Sequence, residues 1–249
     1  MVMGEPVVRV GAATDVGLVR SVNEDNYLVT GTVFAVADGM GGHAAGDVAS
    51  GLAVAGLASL GTEGPVRPDD VRRHVMGLNR DILDAAARNP AQAGMGTTLT
   101  GLCLADFAGS AHWVVFNVGD SRVYRFAGGE LAQLTVDHSE VAELVASGEL
   151  SEAEAADDVR RNVVTRALGA GVAPEPDLLV FPPAAGDRFL LCSDGLTGEL
   201  DSAAIAAVLA AVADPQAAAD QLVRAAVDAG GRDNVTVVIV DHVRQDTAP

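Results

Sequence analysis

The order of the apolar patterns constrains this chain most. Short runs rich in Val, Leu, Phe and Thr stand in clusters, and long helical stretches that come in pairs separate the clusters. The strand-like runs fall at 7–11, 26–36, 97–105, 112–117, 122–126, 131–134, 178–181, 188–192 and 234–240. Ala127-Gly128-Gly129 joins two of them as a hairpin turn. Helical patterns cover 47–60 with 69–88, and 202–212 with 215–229. In the second pair Asp201 and Asp214 sit where N-caps belong, Pro215 takes a first helical position and Gly230-Gly231 ends the run. A further helical pattern over 139–157 carries Ser151 and Glu154 at capping-box spacing. Strand clusters interrupted by helix pairs argue against a regular βαβ sheet and predict a layered α+β domain.

With 249 residues, 49% of them apolar, the chain has enough core for one domain over 1–249. Cys103 and Cys192 each lie among apolar neighbours, which predicts buried thiols and no disulfide framework. The chain lacks a charge-free apolar run of about eighteen residues, and its first ten residues lack the basic-then-apolar order of a secretory signal. The expectation is a soluble, cytoplasmic monomer, either complete or the catalytic part of a longer, membrane-anchored protein. The formal net charge is −18, with every Lys/Arg position taken by Arg. Such a field repels nucleic acid and anionic membranes and favours cations. The choice of Arg over Lys can equally reflect genome composition.

Chemistry is carried by aspartates where strand-like runs give way to small or turn-forming residues: Asp38 before Gly39, Asp120 after Gly119, Asp194 before Gly195, and Asp233 between Arg232 and Asn234. A carboxylate placed so can point into a cleft while glycine lets a carbonyl approach the same ion. Several together make an oxygen-only site suited to Mg²⁺ or Mn²⁺ and unsuited to Zn²⁺. Taken singly, an Asp beside Gly at a strand end is most often an ordinary turn residue.

The segments around these aspartates resemble the PP2C (PPM) family of metal-dependent serine/threonine protein phosphatases, in its bacterial form. The pieces stand in the family's order: Thr14-Asp15-Val16-Gly17 to Arg20, Asn23-Glu24-Asp25, Ala37-Asp38-Gly39-Met40-Gly41-Gly42-His43, Gly96-Thr97-Thr98, Asn117-Val118-Gly119-Asp120-Ser121-Arg122, Asp137-His138-Ser139, Thr165-Arg166-Ala167-Leu168-Gly169, Ser193-Asp194-Gly195-Leu196 and Gly231-Arg232-Asp233-Asn234. The resemblance implies a four-layer αββα sandwich of two antiparallel sheets flanked by helix pairs, with the cleft at one edge. It implies Mn²⁺ or Mg²⁺, two ions and in bacterial members a third. In that pattern Asp38 bridges two metals and Gly39 ligates through its carbonyl. Asp194 and Asp233 complete the second metal, Glu24 holds metal-bound water beside Asp25, and Asp120 joins Asp194 at the third. Arg20 matches the phosphate-binding arginine, whose planar fork suits a phosphate dianion. The implied reaction is direct attack on phosphoserine or phosphothreonine by water bridging two metals, in phosphoproteins made by a serine/threonine kinase.

Three features depart from the pattern or stay open. Residues 137–165 occupy the place of the family's flap, yet Asp157-Asp158-Val159 precede Arg160-Arg161-Asn162 where the pattern often carries His-Pro. Met40 stands where animal-type members carry a proposed acid, and His43 is a poor substitute. His138 lies in a family motif without an assignable role. Two rival readings remain: the same chemistry on other phosphoesters, and a pseudophosphatase serving as a scaffold, which would be expected to have lost the acids that Asp38, Asp194 and Asp233 supply.

Overall fold

The structure, a computed structural model, describes residues 7–41, 45–61, 65–170 and 174–243. One sheet holds β1 (Val7–Asp15), β11 (Val235–Val243), β10 (Arg188–Cys192), β7 (Arg122–Ala127) and β8 (Glu130–Gln133), in that order. The other runs β2 (Asp25–Val29), β3 (Val33–Met40), β5 (Leu99–Phe107), β6 (Ser110–Val118) and β9 (Asp177–Phe181), with the short β4 (Gly96–Thr97) pairing β3. Every pairing is antiparallel.

Alternation along the strands builds the layers, because successive side chains leave opposite faces. In β3, Phe34 and Val36 turn inward to meet Leu102, Trp113 and Val115 from their own sheet and Phe189, Leu191, Val238 and Val240 from the other. Val33, Ala35 and Ala37 point the other way, under α1 (Gly46–Leu57) and α2 (Pro68–Arg88). On the opposite side Leu190, Cys192, Val237 and Ile239 pack beneath α6 (Ser202–Ala211) and α7 (Pro215–Ala229). The result is the four-layer sandwich expected from the sequence. Both cysteines are free and buried, and burial pushes each thiol up to about 12, so neither is reactive.

Arg188 anchors the α6–α7 layer from within the sheet. Its guanidinium forks onto Asp241 and donates to the carbonyls of Leu209, Val212 and Ala213, which α6 leaves unsatisfied at its end. Asp201 and Asp214 cap α6 and α7 as their positions predict, accepting from the N–H groups of Ala204 and Ala217.

Boundaries differ from the sequence reading at several points; the run 97–105, for one, splits into β4 and β5 at Thr98, and β1 continues to Asp15. The run 26–36 is two strands, because the Thr30 hydroxyl bonds Val33 and closes a turn. The pattern over 139–157 is two helices, α3 (Glu140–Ser147) and α4 (Glu152–Asp157), since Gly148 adopts the left-handed conformation and stops the first. A single turn, α5 (Asp194–Thr197), was not anticipated: four residues carry no readable period.

Candidate active site

The two sheets meet at one edge around a group of carboxylates. Asp38 lies inside β3 and not beyond its end, at the point where the strand exchanges β5 for β4 as its partner. Its backbone is clamped there: the N–H donates to Thr98 Oγ1 at 2.9 Å, and the carbonyl accepts from Thr97 Oγ1 and from the Thr98 N–H, each at 2.9 Å. Asp25 stands directly opposite on β2. Asp194 opens α5, and Gly195 behind it lets that turn press on the Asn234 carbonyl, where an added Cβ would come to 1.9 Å. Asp233 is thereby drawn to the same edge. Gly39 fits as tightly, since a Cβ would meet the Gly46 carbonyl oxygen at 2.2 Å.

Asn234 joins three segments here. It accepts the Glu24 N–H at 2.8 Å and donates to the carbonyls of Val16 and Val22, pinning the loop that carries Arg20. Arg20 Nη2 reaches Asp233 Oδ2 at 2.7 Å, and that bond raises the guanidinium's pKa, with Asp38 and Glu24 contributing. Glu24 Oε1 accepts the Gly46 N–H at 3.1 Å, the first turn of α1. Asp120, buried after β6, faces Asp194 across a groove of about 810 Å³ that continues past Arg122, Arg161 and Arg232 beneath α3.

Burial raises the pKa of Asp38 well above the carboxylate range, and the charges of Asp25, Asp194, Asp120 and Asp233 add to it. Burial likewise pushes Asp25 and Asp120 up to about 7 each, with Asp194 contributing to both. Asp194 is raised by burial and by Asp233, and lies close enough to Asp38 for a shared hydrogen bond. Ser193 donates to Asp25 Oδ2 at 2.7 Å, while the buried Oδ1 has no partner. Crowded, desolvated carboxylates with an orphaned oxygen fit divalent cations, whose charge offsets the repulsion. Among the described residues no three acidic, histidine or cysteine side chains form a ready-made cage.

The structure brings together Arg20, Glu24, Asp38, Gly39, Asp120, Asp194 and Asp233, the residues singled out from sequence. His43 lies outside the described residues. The clamp on Asp38 by Thr97 and Thr98 and the bridging by Asn234 were missed as contributions, although all three stand in the quoted motifs. Within 137–165, Asp158 takes two bonds from the Arg160 side chain and Glu140 takes one, so the departure from His-Pro yields a local ion pair.

Comparison with known proteins places these features in a family. The family model described as "Protein phosphatase 2C" matches residues 20–227. The serine/threonine protein phosphatase PstP of Mycobacterium tuberculosis is 41% identical over 244 residues, covering 96% of this chain and 46% of PstP, so the chain spans about half that relative's length. The serine/threonine phosphatase stp of Listeria welshimeri is 38% identical over 240 residues, covering 92% of this chain and 94% of stp. A crystal structure of the PstP catalytic domain in complex with two manganese ions superposes with a TM-score of 0.86 at 39% identity, covering 95% of this chain and 99% of that one. On the extent of these matches and the fold they share with it, the chain belongs to the protein phosphatase 2C family.

Proposed function

We propose that this chain releases phosphate from phosphoserine and phosphothreonine in proteins, without a phosphoenzyme. The observation that carries the proposal is the set of buried carboxylates, Asp38, Asp194, Asp120 and Asp25, beside the guanidinium of Arg20. A divalent pair, when bound, would supply an acidified water nucleophile and the positive charge that steadies the phosphate and the leaving oxygen. PstP holds two manganese ions in its structure, which supports Mn²⁺ here; Mg²⁺ has the same oxygen preference.

In this reading Asp38, the Gly39 carbonyl, Asp194 and Asp233 would hold the ions, and Asp120 with Asp194 would hold a third. Glu24, with one oxygen fixed by the Gly46 N–H, orients water through the other. Arg20 leaves Asp233 in part to fork onto the phosphate, a transfer eased because its side chain is about half exposed (52%). Met40 has no proton to give, so the leaving oxygen takes its proton from water in the open cleft. The substrates are phosphoproteins supplied by serine/threonine kinases, and the working unit is a monomer in the cytoplasm. No helix among the described residues is long and apolar enough to cross a membrane. A pseudophosphatase is disfavoured because the carboxylates and Arg20 are all in place.

Phosphate release from phosphothreonine and phosphotyrosine peptides, each with Mn²⁺, Mg²⁺ or excess chelator, tests the proposal. Metal-dependent release favouring phosphothreonine is expected, and Asp38→Asn should lower it at least about 100-fold. Release that survives chelation would sink the metal reading.

A further inference from the structure

His138 is buried, lies outside the carboxylate group, and touches three segments at once. Its Nδ1 is 3.0 Å from the backbone nitrogen of Gly119, and a peptide N–H can only donate, so Nδ1 is the unprotonated acceptor. The proton therefore sits on Nε2, which donates to Asp177 Oδ2 at 3.1 Å. Asp177 is held from its other oxygen by Arg166 Nη1 at 3.0 Å. The His138 backbone doubles the grip: its N–H donates to the Gly119 carbonyl at 3.0 Å, and its own carbonyl accepts the Thr165 N–H at 2.8 Å. Asn117 Nδ2 donates to the same Gly119 carbonyl. Gly119 is thus fixed on both its polar groups, and the next residue is Asp120.

We infer that His138 is a positioning residue: it locks the Gly119 peptide through Nδ1 and so aims the Asp120 carboxylate into the cleft for a divalent cation. The inference rests on the reading of Asp120 as a metal ligand. Outer partners that orient a ligand typically change metal affinity 10–100-fold when lost. The link through Asp177 to Arg166 ties the same imidazole to the end of the 137–165 segment, where Ser139 bridges Val164.

The two nitrogens can be separated by substitution. Asn can place an acceptor where Nδ1 stands, whereas Gln can reach Asp177 but leaves the Gly119 N–H without its partner. Mn²⁺ binding to the full chain is followed by titration calorimetry, with metal-free thermal stability measured alongside, for Asp120→Asn, His138→Ala, His138→Gln and His138→Asn. Asp120→Asn should abolish the weakest Mn²⁺ binding event. His138→Ala and His138→Gln should weaken that event about ten-fold and spare the tighter ones, while His138→Asn stays within about two-fold of the parent protein. If Asp120→Asn removes the event but the His138 variants all bind as the parent does, His138 does not position Asp120. Equal weakening by Ala, Gln and Asn overturns the role of Nδ1, and uniform weakening of every event marks a structural residue only. If Asp120→Asn leaves Mn²⁺ binding unchanged, the assignment of Asp120 itself falls, and the inference falls with it.

Discussion

The carboxylates of this protein live under two regimes. At the far face of the β10–β11 sheet, Asp241 meets the Arg188 fork at 2.6 and 2.8 Å, and along the groove Asp137 meets Arg122 through three bonds. Each of those charges has a fixed partner of opposite sign. At the cleft, Asp38, Asp25, Asp194 and Asp120 face one another, and the nearest guanidinium with a bond into the group is that of Arg20, on Asp233. What differs between the two regions is whether the chain itself supplies the cation. In the cleft the neutralising charge must come from outside, which makes the fold's stability and its proposed activity depend on the same ions.

The sharpest way to break this comparison is to remove one carboxylate from each regime. Asp241→Asn leaves the Arg188 guanidinium largely buried without its counter-charge and should cost about 3 kcal/mol in denaturant unfolding, with or without metal. Asp38→Asn should do the reverse in metal-free protein at pH 8, raising stability by on the order of 1 kcal/mol through lost repulsion, while losing the stabilisation that Mn²⁺ confers. Loss of stability in both variants would mean the cleft acids are satisfied internally.

Acidity sharpens the same contrast. Asp25 and Asp120 are raised from 3.8 to about 7. Between those values the folded protein binds more protons than the unfolded chain, so metal-free stability rises as pH falls from about 7 toward 4 and is lost as pH climbs through 7. Mn²⁺ acts in the opposite window. At about 100 times its dissociation constant it should add roughly 2.7 kcal/mol at pH 8, and the gain should fade by pH 5 as protons compete for the same oxygens. Thermal melts with and without Mn²⁺ across that range check the crossing; a metal increment independent of pH would contradict it.

The strands and outer helices were legible because their signals are local. Phe34 and Val36 alternate with Ala35 and Ala37, and Asp214-Pro215 announces α7 within two residues. The candidate ligands were legible through motif order. What stayed hidden depends on contacts between distant segments. His138 acquires its place from Gly119, 19 residues away, and from Asp177, 39 residues away. Asp38 was expected just past its strand because the run of large apolar residues stops at Val36. The pairing with β4 that extends β3 to Met40 comes from Gly96, outside any strand-like run, and Thr97, read as the start of the run 97–105.

A third kind of carboxylate marks the lower end of the scale. Glu154, in the exposed α4 turn, is lowered because the Ser151 backbone N–H donates to it at 2.9 Å and the Ser151 hydroxyl at 2.7 Å. Backbone and hydroxyl donors satisfy this charge, so it needs neither an arginine nor a metal. Ser151 in return accepts the Glu154 N–H, closing the capping box. Ser151→Ala removes the cap from a helix of 6 residues and should cost about 1 kcal/mol. Because that helix lies away from the sandwich core, the loss should appear as faster amide exchange confined to 152–157, with Mn²⁺ affinity unchanged. A fall in Mn²⁺ affinity in this variant would show that the segment and the cleft are energetically one unit, and the separation between self-satisfied and metal-dependent acids would not hold.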